Sequence, residues 1–220
     1  MYLLNKENRG YITPAQFNEY AKFAQQNIFN LYFSEYAKLV TARNARRLGD
    51  GFGDRIMELN DRISKFTTAT TLSKSGLLYP KPSNIFKTIE LRYNANSITP
   101  IPHYKEAMLD SSNMMAPTAT YPVYTERDGG YSVKPTSITG TIELIYVKNP
   151  STPKWTYSLV NSEPIFNASA SDYNDFELGE EEFVPLVVEI AKLAGLEIRE
   201  PDVVNVSNSI DAQNLQKDNS

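Results

Sequence analysis

Apolar residues recur at the three- and four-residue spacing of a helix from Thr13 onwards. Thr13-Pro14-Ala15-Gln16 is a helix start, because threonine can cap, proline fits the first helical position and glutamine completes a capping box. No proline or glycine follows before Gly49, so the pattern predicts a helix of about 30 residues, or about 45 Å. Its regularly spaced apolar positions are Phe17, Tyr20, Ala24, Ile28, Leu31, Tyr32, Tyr36, Leu39 and Val40.

Three phenylalanines lie outside that stripe and widen its apolar arc. They are Phe23, Phe29 and Phe33. A helix with apolar groups on more than one side indicates neighbours on several faces. We therefore predict that Phe29 and Phe33 contact a neighbouring subunit.

A second helix is predicted after the glycine-rich break Gly49–Gly53. The two helices are expected to form an antiparallel hairpin over residues 1–66. The glycines follow a helix instead of a strand and lack the spacing of a dinucleotide fingerprint, so they do not indicate phosphate binding. The apolar face of the second helix is formed by Ile56, Leu59, Ile63 and Phe66.

Between residues 67 and 162, the helical spacing is replaced by alternating apolar and polar residues and by turn-forming residues. Thr141 to Val147 is the clearest strand, and Asp128-Gly129-Gly130 is typical of a hairpin turn. The pattern predicts a small, mostly antiparallel sheet inserted between helices. In the stretch from residue 85 to 93, the expected inward positions are Ile85, Ile89, Leu91 and Tyr93.

Helical spacing returns in residues 163–200. Glu180-Glu181-Glu182 is expected to open this helix, because carboxylates favour the positive end of the helix dipole. Pro185 is placed in the first turn, and Gly195 is expected to close the helix. The predicted core face contains Phe183, Leu186, Val187, Ile190, Leu193 and Ala194.

Residues 201–220 are predicted to form a weaker helix and a tail that docks on a partner. The segment is acidic and has few apolar residues, so Val203, Val206 and Ile210 are the expected docking positions. The complete pattern predicts an α+β fold. Its parts are a helical hairpin or bundle core, an inserted antiparallel β region, a C-terminal helix and the tail.

Charge is distributed unevenly along the chain. The net charge is −4, from 22 Lys and Arg against 26 Asp and Glu. Residues 1–65 carry ten basic and seven acidic residues, whereas residues 163–220 carry three basic and thirteen acidic residues. An acidic end can dock by charge on a basic partner, although a solvated acidic face accounts for it equally well.

The residue types that most catalysis requires are sparse. The chain has no cysteine and one histidine, His103, so it has no disulfide, no thiolate metal site and at most one histidine base. We expect no enzymatic activity, no cofactor and no metal. No stretch of the sequence approaches the roughly 18 apolar residues of a membrane span, so no membrane partner is expected.

Three arginines, Arg43, Arg46 and Arg47, cluster at the predicted end of the first helix. They complement the negative end of the helix dipole. Contact with an acidic partner or with DNA is the alternative interpretation. His103 is expected to be a surface or loop residue, because it follows Pro102 and no acidic residue lies at a spacing that would indicate a functional partner.

Four phrases of the chain resemble neck proteins of crAss-like bacteriophages. They are Leu4–Phe17, Pro150–Tyr157, Ala168–Leu178 and Ile190–Glu200, and the most specific parts are residues 154–157 and 172–178. The order of elements is also similar to that of tail-adaptor ring proteins of short-tailed phages, which is a likeness of fold alone. The resemblance implies a dodecameric ring attached to the portal.

These observations favour a structural subunit of a bacteriophage head-to-tail connector ring. Its expected partners are further copies of itself, the portal, and other neck and tail proteins. Packaged DNA would pass through the ring without sequence-specific binding. The expected location is the virion neck or tail, after assembly in the host cytoplasm. The alternative is a tail or head-fibre component that binds a host ligand through the β region. A cell-wall hydrolase is disfavoured because no base and nucleophile pair is visible.

Overall fold

The computed structural model describes residues 12–45, 52–111, 115–160 and 163–198. Within these ranges it confirms the predicted α+β class, with helices, a large sheet and a small sheet. The chain divides into two compact units. The helical unit combines the chain up to Arg62 with the chain from Pro150 onwards, and the sheet unit is Ile63–Asn149.

Helix α1, Pro14–Asn44, begins at the predicted capping box. The Gln16 N–H donates to Thr13 Oγ1 at 3.3 Å, and the Thr13 N–H donates to Gln16 Oε1 at 3.0 Å. Burial is confined to the first part of α1: no side chain from Phe33 to Ala45 is buried by the described residues. The residues that pack α1 into the unit are Pro14, Tyr20, Ala21, Ala24, Gln25, Ile28, Phe29 and Tyr32.

Helix α4, Phe183–Ile198, is the helix that packs most extensively on α1. A 3₁₀ turn, Glu180–Glu182, precedes it, and Pro185 lies in its first turn as predicted. The sequence predicts that this helix ends at Gly195, but the helix continues to Ile198. Gly195 is itself buried next to the fully buried Ala194, so close packing at this point outweighs the weak helix propensity of glycine.

The apolar face of α4 differs from the predicted one. Leu186, Ile190 and Ala194 are buried as expected, but Val188 is buried with them. Phe183 and Val187 are 68% and 39% exposed, so assigning them to the core was wrong. Both residues lie outside the row that points at α1, because buried positions at four-residue spacing occupy only a narrow stripe of a helix.

Helix α2, Phe52–Ser64, buries Ile56 and Leu59 as the pattern predicts. Its contact with α1 includes the Arg62 guanidinium, which lies 5.9 Å from the centre of the Tyr32 ring. Phe66 follows the helix instead of belonging to it, and it is buried in the sheet unit.

The sheet unit is a seven-stranded sheet in the order β1-β7-β3-β4-β5-β6-β2. All neighbouring pairs are antiparallel except β4 and β5, which are parallel. The predicted antiparallel region is therefore a mixed sheet. Helix α3, His103–Asp110, lies in the crossover between the parallel strands, where a hairpin turn cannot serve. The strands are β1 Thr67–Leu72, β2 Tyr79–Pro80, β3 Ile85–Tyr93, β4 Asn96–Pro100, β5 Val123–Arg127, β6 Gly130–Lys134 and β7 Ile142–Lys148.

The predicted turn between β5 and β6 is confirmed. Arg127 pairs with Gly130, and Gly129 between them has a φ of +79°, which glycine adopts without steric cost. Gly130 is required for a different reason. A Cβ atom there would lie 2.5 Å from the backbone oxygen of Tyr79 on the neighbouring strand β2.

Strand β7 alternates as predicted, with Ile142, Leu144 and Tyr146 buried in the core of the sheet unit. Strand β3 departs from its pattern at one residue. Leu91 is fully buried, but Ile89 is 52% exposed, because the pairing with β7 shifts between Thr88 and Glu90. A bulge of one residue turns that side chain to the other face of the sheet.

Glu106 of α3 is a buried carboxylate within the sheet unit, 7% exposed. It accepts hydrogen bonds from Arg127 Nη2 at 2.8 Å and from Ser132 Oγ at 3.3 Å. Burial opposes its ionisation, but Arg127, Lys134 and Ser132 outweigh that effect and hold the pKa of Glu106 below its ordinary value. His103 is exposed as predicted, yet an acidic residue does lie near it, with Glu106 Oε2 3.5 Å from its Nδ1. One helical turn separates the two, which corrects our expectation.

We expect Glu106→Gln to lower the free energy of unfolding of the sheet unit by about 1–2 kcal/mol at neutral pH, because it removes a charge-assisted hydrogen bond. The parent has the full contribution above pH 4.5 and loses it as the pH falls through the lowered pKa. The difference between parent and variant should therefore shrink in acid. Denaturant unfolding from pH 7 to pH 3 measures this. Glu126→Gln, at an exposed pair with Lys81, is the control and should change stability by less than about 1 kcal/mol. A difference that grows in acid contradicts the assignment.

Candidate interaction surface

A buried glutamine of α1 holds the chain that returns after the sheet unit. Gln25 is 2% exposed. Its Nε2 donates to the backbone oxygen of Ser151 at 2.8 Å, and its Oε1 accepts the N–H of Glu177 at 3.1 Å. The Glu177 carboxylate in turn accepts the Ser151 N–H at 3.2 Å and the Ser151 hydroxyl at 2.8 Å. One helical side chain thus fixes two passages of irregular chain.

The same passages contain the phrases that carry the family resemblance most specifically. Lys154 and Asn174 form an antiparallel bridge, and the Lys154 ammonium pairs with the Asp172 carboxylate. Asn174 Nδ2 also donates to the backbone oxygen of Thr152 at 2.7 Å. Residues 154–157 and 172–178 therefore meet in the fold, although the sequence contains no pattern that predicts their contact.

A buried ion pair joins the two N-terminal helices to the start of α4. Glu182 is 5% exposed and pairs with Arg62, which also contacts Glu58 at 2.7 Å. Burial and the neighbouring Glu182 carboxylate raise the pKa of Tyr32 far above its ordinary value. Burial alone would lower the pKa of Arg62, but Glu182 and Glu58 outweigh it and the pKa is raised. The Arg62 guanidinium is thus paired with two carboxylates, and we assign the cluster a structural role.

A small hairpin projects from this framework. Strands β8, Tyr157–Val160, and β9, Glu163–Phe166, pair only with each other among the described residues. Trp155 lies at the base, stacked on Tyr157 and Phe166 at ring-centre distances of 5.6 and 6.2 Å. The Phe17 ring of α1 meets the Trp155 ring edge-on at 6.3 Å. Aromatic packing therefore anchors the base of the hairpin to α1.

The apolar side chains of the hairpin are exposed on both faces. Leu159 is 67% exposed, and the four others lie between 43% and 50%. Contiguous exposed apolar groups of this kind mark interaction sites. The four others are Tyr157, Val160, Ile165 and Phe166. The sequence pattern placed residues up to 162 in the β region but did not predict this exposed surface, because the burial of a short apolar strand cannot be read from its composition.

The outer face of α1 is a second exposed surface in the helical unit. Phe23 and Leu31 are 54% and 52% exposed. No charged residue occurs between Phe23 and Ser34, although 22% of the chain is charged. Depletion of charge around exposed apolar groups is typical of the centre of a protein interface.

The predicted site residues fall into three groups. Phe29 is fully buried and packs in the core of its own unit, so its ring is not presented to a neighbour; Phe33 is partly exposed and remains a predicted contact. Arg43 is exposed in the last turn of α1, where it complements the helix dipole. Arg46, Arg47, Val203, Val206 and Ile210 lie outside the described residues.

In the described part of the chain, no three His, Asp or Glu side chains come together in a group that could hold a metal ion. No helix within those residues is long and apolar enough to cross a membrane.

No protein-family model matches the chain, and no curated protein matches it.

Proposed function

We propose that the protein is a structural subunit of a bacteriophage head-to-tail connector ring. In this role it attaches to the portal and links it to the tail around the DNA channel. The observation that carries the proposal is the pair of different exposed apolar surfaces on the helical unit. One is the β8–β9 hairpin, and the other is the outer face of α1 with Phe23 and Leu31, where no charged residue occurs from Phe23 to Ser34.

Two different surfaces on one subunit suit a ring. A heterologous contact joins one surface of a subunit to the other surface of the next, and it closes when the rotation between subunits closes. The resemblance to crAss-like phage neck proteins supports a dodecamer, the portal as neighbour and a place in the virion neck. Arg43, Arg46 and Arg47 are the candidates for contact with DNA phosphates or an acidic partner, and phosphate contact carries no sequence information.

The test is assembly of the purified protein, measured by mass photometry and electron microscopy with and without the portal of the same phage. We expect closed rings, or rings that form on the portal. Phe23→Asp and Leu31→Asp should leave the subunit folded and abolish assembly, since each places a charge in a desolvated contact. Ser83→Asp, at an exposed position of the sheet unit, is the matched control and should assemble normally.

A protein that stays monomeric alone and with the portal contradicts the proposal. If that monomer binds host cells through the sheet unit, the alternative of a tail or head-fibre component replaces it.

A further inference from the structure

The seven-stranded sheet has one protected edge and one unprotected edge. Strand β2, at one end of the sheet, is two residues long and ends in Pro80, which has no N–H to donate. Strand β1, at the other end, has six residues and contains neither proline nor a charged side chain. It pairs with β7 in an unbroken register, so no bulge turns its edge away. Short length, proline, charge and bulges are the usual means of protecting an edge, and β1 has none of them.

The outward backbone groups of β1 belong to Thr67, Ala69 and Thr71. The Phe66 oxygen accepts the N–H of Lys148 of β7 at 2.9 Å, so residue 66 points inward. Inward and outward groups alternate along an antiparallel pair, which turns residues 67, 69 and 71 outward. In the part of the chain that the structure describes, no strand pairs with these groups. Ala69 and Thr71 are exposed, and Thr67 is partly buried.

The sequence of β1 is symmetric about its middle outward residue. Thr67-Thr68-Ala69-Thr70-Thr71 reads the same in both directions. When two such strands run antiparallel with Ala69 opposite Ala69, Thr67 lies opposite Thr71 and Thr68 lies opposite Thr70. The outward N–H and C=O groups of both strands then face each other. Thr–Thr pairs across strands are favourable, and no like charges meet because the strand is uncharged. A second copy of the chain therefore matches this edge in sequence, in charge and in the order of its hydrogen-bonding groups.

We propose that two copies of the protein pair through β1, antiparallel and centred on Ala69. The two-fold axis passes between the two Ala69 residues, and the sheet continues from one copy to the other. Main-chain hydrogen bonds supply the binding, as in other cases of strand addition. This contact is isologous and uses the sheet unit, whereas the ring contact proposed above is heterologous and uses the helical unit. The inference therefore does not rest on the proposed function.

Cysteine variants of the full chain test the register, because the sequence contains no cysteine. In Ala69→Cys the two cysteines lie opposite each other, with Cα atoms about 5.5 Å apart, which is within disulfide range. We expect this variant to oxidise to a disulfide-linked dimer. Thr67→Cys on the same strand is the matched control. Its counterpart in the second copy lies four positions further along, about 13 Å away at the rise of a strand, so its yield should be at least about tenfold lower.

A mixture of Thr67→Cys and Thr71→Cys completes the register test. These positions face each other in the proposed pairing, so the mixture should form cross-linked heterodimers although Thr67→Cys alone does not. Equal yields from Ala69→Cys and Thr67→Cys would indicate random collision. The absence of a cross-link in Ala69→Cys would mean that the two β1 edges do not meet. Each of these last two results overturns the proposal.

Sedimentation equilibrium of the cysteine-free protein measures the same contact without oxidation. The Phe23→Asp background removes the proposed ring contact, so failure of one proposal is distinguishable from failure of the other. We expect the dimer fraction to increase over about a hundredfold range of concentration. Ala69→Lys places two like charges opposite each other and should raise the dissociation constant at least about tenfold.

Ser83→Lys adds the same charge at an exposed position of the sheet unit and is the matched control. It should change the dissociation constant by less than about twofold, because solvent and salt screen a charge outside the contact. A protein that is monomeric at every concentration contradicts pairing through β1. A dimer that Ala69→Lys weakens no more than Ser83→Lys does contradicts it as well.

Discussion

Replacing Phe29 with alanine is expected to lower the free energy of unfolding of the helical unit by about 3–5 kcal/mol. Phe29 is fully buried, and its ring meets that of Phe33 edge-on at 5.1 Å. Truncation removes the transfer free energy of the ring and leaves a cavity that the surrounding helices fill only in part. Trp155, the only tryptophan, belongs to the helical unit, so its fluorescence during urea denaturation reports on this unit.

Phe23→Ala is the matched control on the same helix. Its side chain is 54% exposed, so the change in the free energy of unfolding should stay below about 1 kcal/mol. Relative to the stability that each variant loses, Phe23→Ala should impair ring assembly more than Phe29→Ala does, because Phe23 lies on the proposed contact surface. If the two variants are destabilised equally, Phe29 is not the core residue that its burial indicates.

We expect Gln25→Leu to lower the free energy of unfolding by about 2–4 kcal/mol, although leucine is similar in size and more apolar. The substitution leaves the Ser151 oxygen and the Glu177 N–H without the amide that now pairs with both. Each unsatisfied group costs about 1–3 kcal/mol when it is buried, and part of that cost is relieved where water reaches it. Urea denaturation followed by Trp155 fluorescence measures the change.

The neighbouring Gln26 supplies the control. Its Nε2 donates to Asn30 on the same helix at 3.3 Å, in an exposed environment. Gln26→Leu should therefore change the free energy of unfolding by less than about 0.5 kcal/mol. If Gln25→Leu is as well tolerated as this control, then water or rearranged backbone satisfies the two groups, and the glutamine does not hold the returning chain.

Local sequence patterns predicted the structure correctly where residues close in sequence form it. The capping box of Thr13 and Gln16 forms within four residues, and the Asp128-Gly129 turn needs only the φ freedom of glycine. Strand β7 was predictable for a similar reason. The alternation of apolar and polar residues along it shows which face of the strand points to the core, and this does not depend on which strands pair with it. Fold class followed from the order of such elements.

The same rules failed where a contact distant in sequence decided the outcome. Ile89 belongs to an alternating run, but a bulge against β7 turns it outward. Gly195 carries a signal for a helix end, but burial against neighbouring residues keeps it helical. Gln25 reads as an ordinary polar residue of a long helix. Its role depends on Ser151 and Glu177, more than a hundred positions away.

The sequence by itself determined the α+β class, the start of α1, the turn between β5 and β6, and the scarcity of catalytic residue types. Only the tertiary structure decided that Phe29 is core while Phe23 is exposed, and that the β8–β9 hairpin leaves its apolar side chains exposed. The physical reason is that the burial of a side chain and the pairing of a strand depend on which segments of the chain pack together, and these segments are often distant in sequence. Residue spacing constrains the elements that form, whereas packing determines which of their faces and edges remain for a partner.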